Sequence, residues 1–172
     1  ASAEAPTLLL LARVLDDGFS TRVHQTLCEE RGLAYEAFAG NDAFEDCGVF
    51  EFGASVGHKK APLLVETVLE LIDVLRSQAP TDEEVEKAKR RYLWDLRTVR
   101  DSPQATAHFV GSSALFGLPE QIETVAEQVA RVMPRDIQRV VQRYLDRKDA
   151  YLTCVGVLDD PLLSDVLTLV GS

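Results

Sequence analysis

Three kinds of side chain in this 172-residue chain could do chemistry: histidine, cysteine and one well-placed tyrosine. His24 and Cys28 stand four residues apart, a separation that sets two metal ligands on one face of a helix. No other histidine or cysteine lies near them in sequence. His58 and His108 stand alone, with neither histidine nor glutamate at the spacing that holds a metal, its water and a base together. The pattern therefore points to no metal site on this chain. Gly111-Ser112-Ser113 reads as a small-residue helix contact rather than a nucleophile elbow, and no Gly-rich phosphate loop is present. Lys87, Lys89, Arg90 and Arg91 alternate with Glu83, Glu84 and Glu86, the pattern of a solvated helix face. Tyr35 differs, because a helix end delivers it to the start of a strand. There it could meet a ligand or pack half-buried; spacing alone favours packing.

The element that positions Tyr35 is the helix from about Ser20 to Glu30, with Val23 and Leu27 as its apolar stripe. Ser20 and Thr21 are candidate caps at its start. Gly32 stands where a left-handed C-terminal cap is wanted, followed by apolar Leu33. Before it, Leu8 to Leu11 lie in a helix too apolar to be a surface element, broken by Asp16-Asp17-Gly18. After it, Tyr35 to Gly40 alternates as a strand, Asn41 to Asp46 reads as a polar loop, and Gly48 to Gly57 reads as a second, antiparallel strand.

Pro62 opens an amphipathic helix on Leu64, Val65, Val68, Leu71, Ile72 and Leu75. Thr81-Asp82-Glu83-Glu84 is a capping box that starts another, with Val85, Ala88, Tyr92, Leu96 and Val99 as its stripe. Helices follow from Asp101-Ser102-Pro103 to about Leu115, from Glu120 to Val132, and from Pro134 through Tyr144. Ala150 to Val157 is rich in β-formers and predicts a third strand, and Pro161 to Val170 a closing helix. The sum is α+β, with several helices layered on one face of a small, mostly antiparallel sheet. With no repeat and no low-complexity linker, residues 1–172 read as a single domain.

Bulk properties fit that reading. Hydrophobic residues make up 46% of the chain, enough for a real core. A net charge of −10 argues against nucleic acid as a partner. No apolar run approaches the roughly 18 residues of a membrane helix, and the start lacks the basic region of a signal peptide. Cys28, Cys47 and Cys154 are too scattered for a disulfide framework and read as free thiols: Cys28 on a helix, Cys47 near a turn, Cys154 in the core. The compartment stays open.

Gly18 to Tyr35 resembles the second-domain motif of the pitrilysin/insulinase family of zinc peptidases, which includes the mitochondrial processing peptidases. Its pattern, G-x-S-S-R-L-x-x-x-L-R-E-x-R-G-L-A-Y, is matched by Ser20, Arg22, Leu27, Glu29, Arg31, Gly32, Leu33, Ala34 and Tyr35. The resemblance implies the metal-free half of a clam-shell peptidase. Its zinc would lie on a partner domain, on the same chain or a second subunit, bound through H-x-x-E-H. It also implies a further strand before Ala1. Tyr35 would contact the peptide substrate and donate a hydrogen bond to the scissile carbonyl as charge develops there. In active members an arginine seven residues before the tyrosine shares that work; here Cys28 holds this substrate-binding position. Arg31 would tie the turn to neighbouring backbone, Arg22 would do similar work at the helix start, and Gly48 to Gly57 could pair with an extended peptide. An apolar face would be covered by the partner half or a second copy. The rival reading, favoured by Cys28, is an inactive homologue serving as a scaffold or interaction subunit. A stand-alone small-molecule binding domain has no motif behind it.

Overall fold

A computed structural model describes residues 3–44, 46–119, 121–157 and 159–171. Helix α1 (Ala5–Leu15) is its centre, with Pro6 in the first turn, where a missing N–H costs nothing. Leu10, Leu11, Val14 and Leu15 are all buried. Apolarity on nearly every face is what a helix with neighbours on several sides requires, and α1 meets the sheet and four other helices. Helix α2 (Arg22–His24) continues without a break as a π-helical turn (Gln25–Glu30), which buries Val23 and Leu27 against α1.

The expected caps act differently. Thr21 precedes α2, but its hydroxyl donates to the Gly18 carbonyl at 2.6 Å instead of capping the helix. Ser20 accepts from Lys87 Nζ.

Strands β1 (Ala34–Ala43) and β2 (Gly48–Val56) form an antiparallel pair. The pairing runs further than the sequence reading placed it. Asn41, Asp42 and Ala43, read as a loop, pair with Phe50, Val49 and Gly48, and the turn closes with Phe44 N–H donating to Cys47 O at 2.9 Å. Position 45, within that expected loop, lies outside the described residues. Phe38 lies across from Gly53, and its ring fills the space that a Cβ there would take.

Helix α3 (Ala61–Ser77) follows a 3₁₀ turn (His58–Lys60) and buries Leu71 and Leu75 in the core, as its stripe predicts. Helix α4 (Asp82–Thr98) begins with the predicted capping box, complete in both directions between Thr81 and Glu84. Its basic cluster is not a plain solvated face. Lys89 lies buried along its stem with Nζ 2.8 Å from Glu86, Lys87 reaches Ser20, and Arg91 reaches Asp17.

Helix α5 (Pro103–Phe116) ends at Gly117, whose φ of 62° gives a left-handed cap, and buries Ser113. Helices α6 (Ile122–Ala130) and α7 (Pro134–Tyr144) add Val129, Ile137, Val140 and Val141 to the core. Position 120, expected at the start of α6, lies outside the described residues. Helix α8 (Asp160–Gly171) closes the chain against α3.

One expectation fails. Residues 150–157 form no strand: Tyr151 and Val155 are 98% and 99% exposed. Among the described residues the sheet has two strands, and this stretch pairs with neither. β-propensity yields a strand only through pairing with a partner strand, so by itself it does not decide the outcome. For the same reason Cys154, expected in the core, is exposed. The architecture is α+β, with helices covering one side of a two-stranded antiparallel sheet.

Candidate functional site

The turn between the π-helical segment and β1 is closed by its own backbone. Arg31 N–H donates to Thr26 O at 3.2 Å, and Leu33 N–H to Leu27 O at 2.8 Å, a span lengthened by the wide π turn. Gly32 takes a φ of +54°, which L side chains rarely adopt. Arg31 then reaches helix α3: Nη1 donates to Thr67 Oγ1 at 2.6 Å and Nη2 to Glu70 Oε2 at 2.7 Å. The expected tie to backbone is therefore a tie to two side chains. Lys60 Nζ supplies the backbone bond, donating to Gly32 O at 2.7 Å. At the other end, Arg22 grips Glu84 in a two-point ion pair, Nε to Oε1 at 2.6 Å and Nη2 to Oε2 at 2.9 Å. That carboxylate also completes the cap of α4. The Arg22 hydrogen bond outweighs the effect of burial and brings its pKa from an ordinary 4.5 to about 2.

Tyr35 comes three residues after Gly32. Ala34 faces Val56 and Glu36 faces Ser55, so Tyr35 is the extra residue of a β-bulge. Bulges re-aim a side chain out of the pleat. Here the phenol is thrown fully into solvent, 98% exposed. Within this chain the ring is therefore not half-buried, as the packing role that spacing alone favoured would have it.

Cys28 lies half-buried against the core. Burial raises its thiol pKa, and the Glu29 and Asp16 carboxylates add to the rise, so it stays neutral. His24 stands edge-on to Phe19 at 4.8 Å, its Nδ1 buried and 4.0 Å from Glu29 Oε1. Its proximity to Cys28 assembles no metal site. Among the described residues no group of three or more His, Cys, Asp or Glu could hold a metal ion, so the residues present do not fit a resident zinc. His58 and His108 are exposed on separate elements.

On the far side of the hairpin, β2 pairs only with β1 among the described residues, leaving its second edge open. That edge borders a groove of about 1050 Å³ shared with Leu64, Val68 and Ile72 of α3 and with Tyr151 and Leu152. The β1 edge is covered instead, because Ala39 N–H donates to Asp16 Oδ2 at 3.2 Å. Sequence reasoning missed Lys60, Thr67, Glu70 and the bulge. Thr67 did leave a trace: a lone hydroxyl on the apolar face of α3, three residues from Leu64 and four from Leu71.

A family model described as the peptidase M16 inactive domain matches residues 2–92, a little over half the chain. The chain belongs to this family. The M16 inactive domain resembles curated zinc proteases described as uncharacterized. It is 26% identical over 152 residues to one from Streptomyces coelicolor, covering 88% of this chain and 33% of that protein. It is 29% identical over 135 residues to one from Rickettsia bellii, covering 78% and 32%. The chain thus spans about a third of the length of these relatives. Two solved structures share the fold. One, the peptidase M16 inactive domain from Pseudomonas fluorescens, has a TM-score of 0.74 at 20% identity, covering 84% of this chain and 35% of that one. The other, a protease from Helicobacter pylori, has a TM-score of 0.75 at 20% identity with the same coverage. The M16 assignment agrees with the pitrilysin-type resemblance drawn from Gly18 to Tyr35. Among the described residues of this M16 domain, no helix is long and apolar enough to cross a membrane.

Proposed function

We propose that residues 1–172 form one domain, the metal-free half of a two-part zinc peptidase. It supplies substrate contacts and chamber wall while a partner domain carries the zinc. The observation that carries this reading is Tyr35: a phenol on a bulge, almost wholly exposed, at the end of a turn held by Arg31 and Lys60. A side chain so exposed contributes little to packing, so the order of the backbone beneath it is best explained by a contact outside the chain. Its role is to donate a hydrogen bond to the scissile carbonyl oxygen as negative charge develops there. The open β2 edge offers backbone donors and acceptors that an extended peptide could match.

A second reading, an inactive scaffold subunit, is favoured by Cys28. A neutral, half-buried thiol between two carboxylates cannot supply the positive charge that the resemblance places there.

Reconstitution separates the two. The chain alone should hold no stoichiometric zinc and cleave no peptide; mixed with the zinc-bearing half it should restore cleavage. One tightly held zinc per isolated chain would overturn the proposal. An assembled complex that holds zinc and cleaves nothing would establish the scaffold reading.

A further inference from the structure

Because so little packs on the Tyr35 ring, its placement depends on the backbone that carries it. That backbone leaves the Arg31–Gly32 turn, whose outside anchors come from α3 and the 3₁₀ turn before it. Thr67 is fully buried and spends its proton on Leu63 O at 2.7 Å, which leaves its oxygen to accept from Arg31. Lys60 is fixed in turn, its own N–H donating to Gly57 O at 2.8 Å. Its ammonium then holds Gly32 O, the carbonyl two residues before the bulge pair begins to diverge.

We propose that Lys60 is a positioning residue for Tyr35: by holding the Gly32 carbonyl, it sets the direction in which the phenol is presented. The inference rests on the reading of Tyr35 as a substrate contact. An exposed charge-assisted bond of this kind adds little to global stability. Its loss would act instead through the tyrosine, since misplacing a reacting group by about 1 Å can cost up to about 10²-fold. A residue that merely stabilised the fold would not distinguish kcat from KM.

The test uses the assembled peptidase. Lys60→Met should lower kcat about 10-fold while KM stays within about twofold, and Lys60→Arg should restore most of the loss. In a Tyr35→Phe background, Lys60→Met should cost nothing further, because the two act on one step. A full additional loss in that background overturns the inference, as does wild-type turnover of Lys60→Met when Tyr35→Phe is impaired. Wild-type turnover of Tyr35→Phe removes the underlying functional reading, and the inference with it. Amide hydrogen exchange on the 172-residue chain checks the anchor itself. Lys60→Met should speed exchange at Leu33–Glu36 and leave α4 unchanged; unaltered exchange at Leu33–Glu36 removes the inference alone.

Discussion

At the scale of single residues, the proposed function rests on the contrast between Tyr35 and Cys28. If Tyr35 acts on charge that exists only in the transition state, its hydroxyl matters to turnover more than to binding. Loss of one such donor typically costs about 10²–10³ in rate. Tyr35→Phe in the assembled enzyme should therefore lower kcat by that order with KM nearly unchanged, read from steady-state kinetics. Cys28 sits beside Glu29 and Asp16, which raise its pKa together with burial. An arginine placed there would find carboxylates waiting for it and would still extend toward the surface. Cys28→Arg should raise activity or tighten peptide binding; a weaker-binding variant with an intact fold would reject position 28 as a substrate contact.

At the scale of elements, the organising segment is held by a backbone turn at one end and an ion pair at the other. Gly32 at φ +54° has nothing within 4 Å of where a Cβ would stand, so Gly32→Ala isolates backbone strain from packing. The left-handed region costs an L residue about 1–2 kcal/mol, and thermal unfolding should show a loss of that order. Gly57 is an equally open position with an ordinary φ of −63°, and Gly57→Ala should be neutral or slightly stabilising.

Glu84 gives a pH signature for the other end. A carboxyl whose pKa falls on folding, here from 4.5 to about 2, binds protons more tightly in the unfolded chain. Its stabilisation is complete above pH 4.5 and drains away as the pH falls toward about 2. Denaturant titrations of wild type and Glu84→Gln should differ by about 1 kcal/mol at neutral pH, since cap and partly exposed ion pair are each modest. The difference should vanish near the lower limit. A gap that persists unchanged at pH 2 would show that ionisation of Glu84 is not the cause.

For the whole molecule, the telling feature is an asymmetric sheet. Asp16 covers one edge, while the other opens on an apolar groove. Strand β2 has one charge, Glu51, in nine residues and neither lysine nor proline to discourage edge-to-edge pairing. The chain on its own should therefore self-associate in sedimentation at high concentration. Val49 is half-exposed and lies across from Asp42, so Val49→Lys adds an edge charge that β1 can neutralise, and should shift the chain toward monomer. Strict monomer behaviour of the wild type would reject the open edge as an interaction surface.

The amino-acid sequence by itself determined what depends on neighbours along the chain. Helical periodicity placed α3, α4 and α7. The Thr81–Glu84 box fixed the start of α4, and Gly32 marked the turn before Tyr35, because these effects act within four or five residues. It carried the M16 motif for the same reason, since Gly18 to Tyr35 is one continuous local element. Only the tertiary structure decided the rest. Whether Ala150 to Val157 became a strand depended on pairing with an edge far away in sequence, and across the groove from β2 that pairing is not made. Arg31 found Thr67 and Glu70 thirty-six and thirty-nine residues on, and Lys60 found Gly32 across twenty-eight. The exposure of Tyr35 came from one extra residue in a register that two strands set together. Long-range partners follow from packing the whole chain, and no local pattern encodes them.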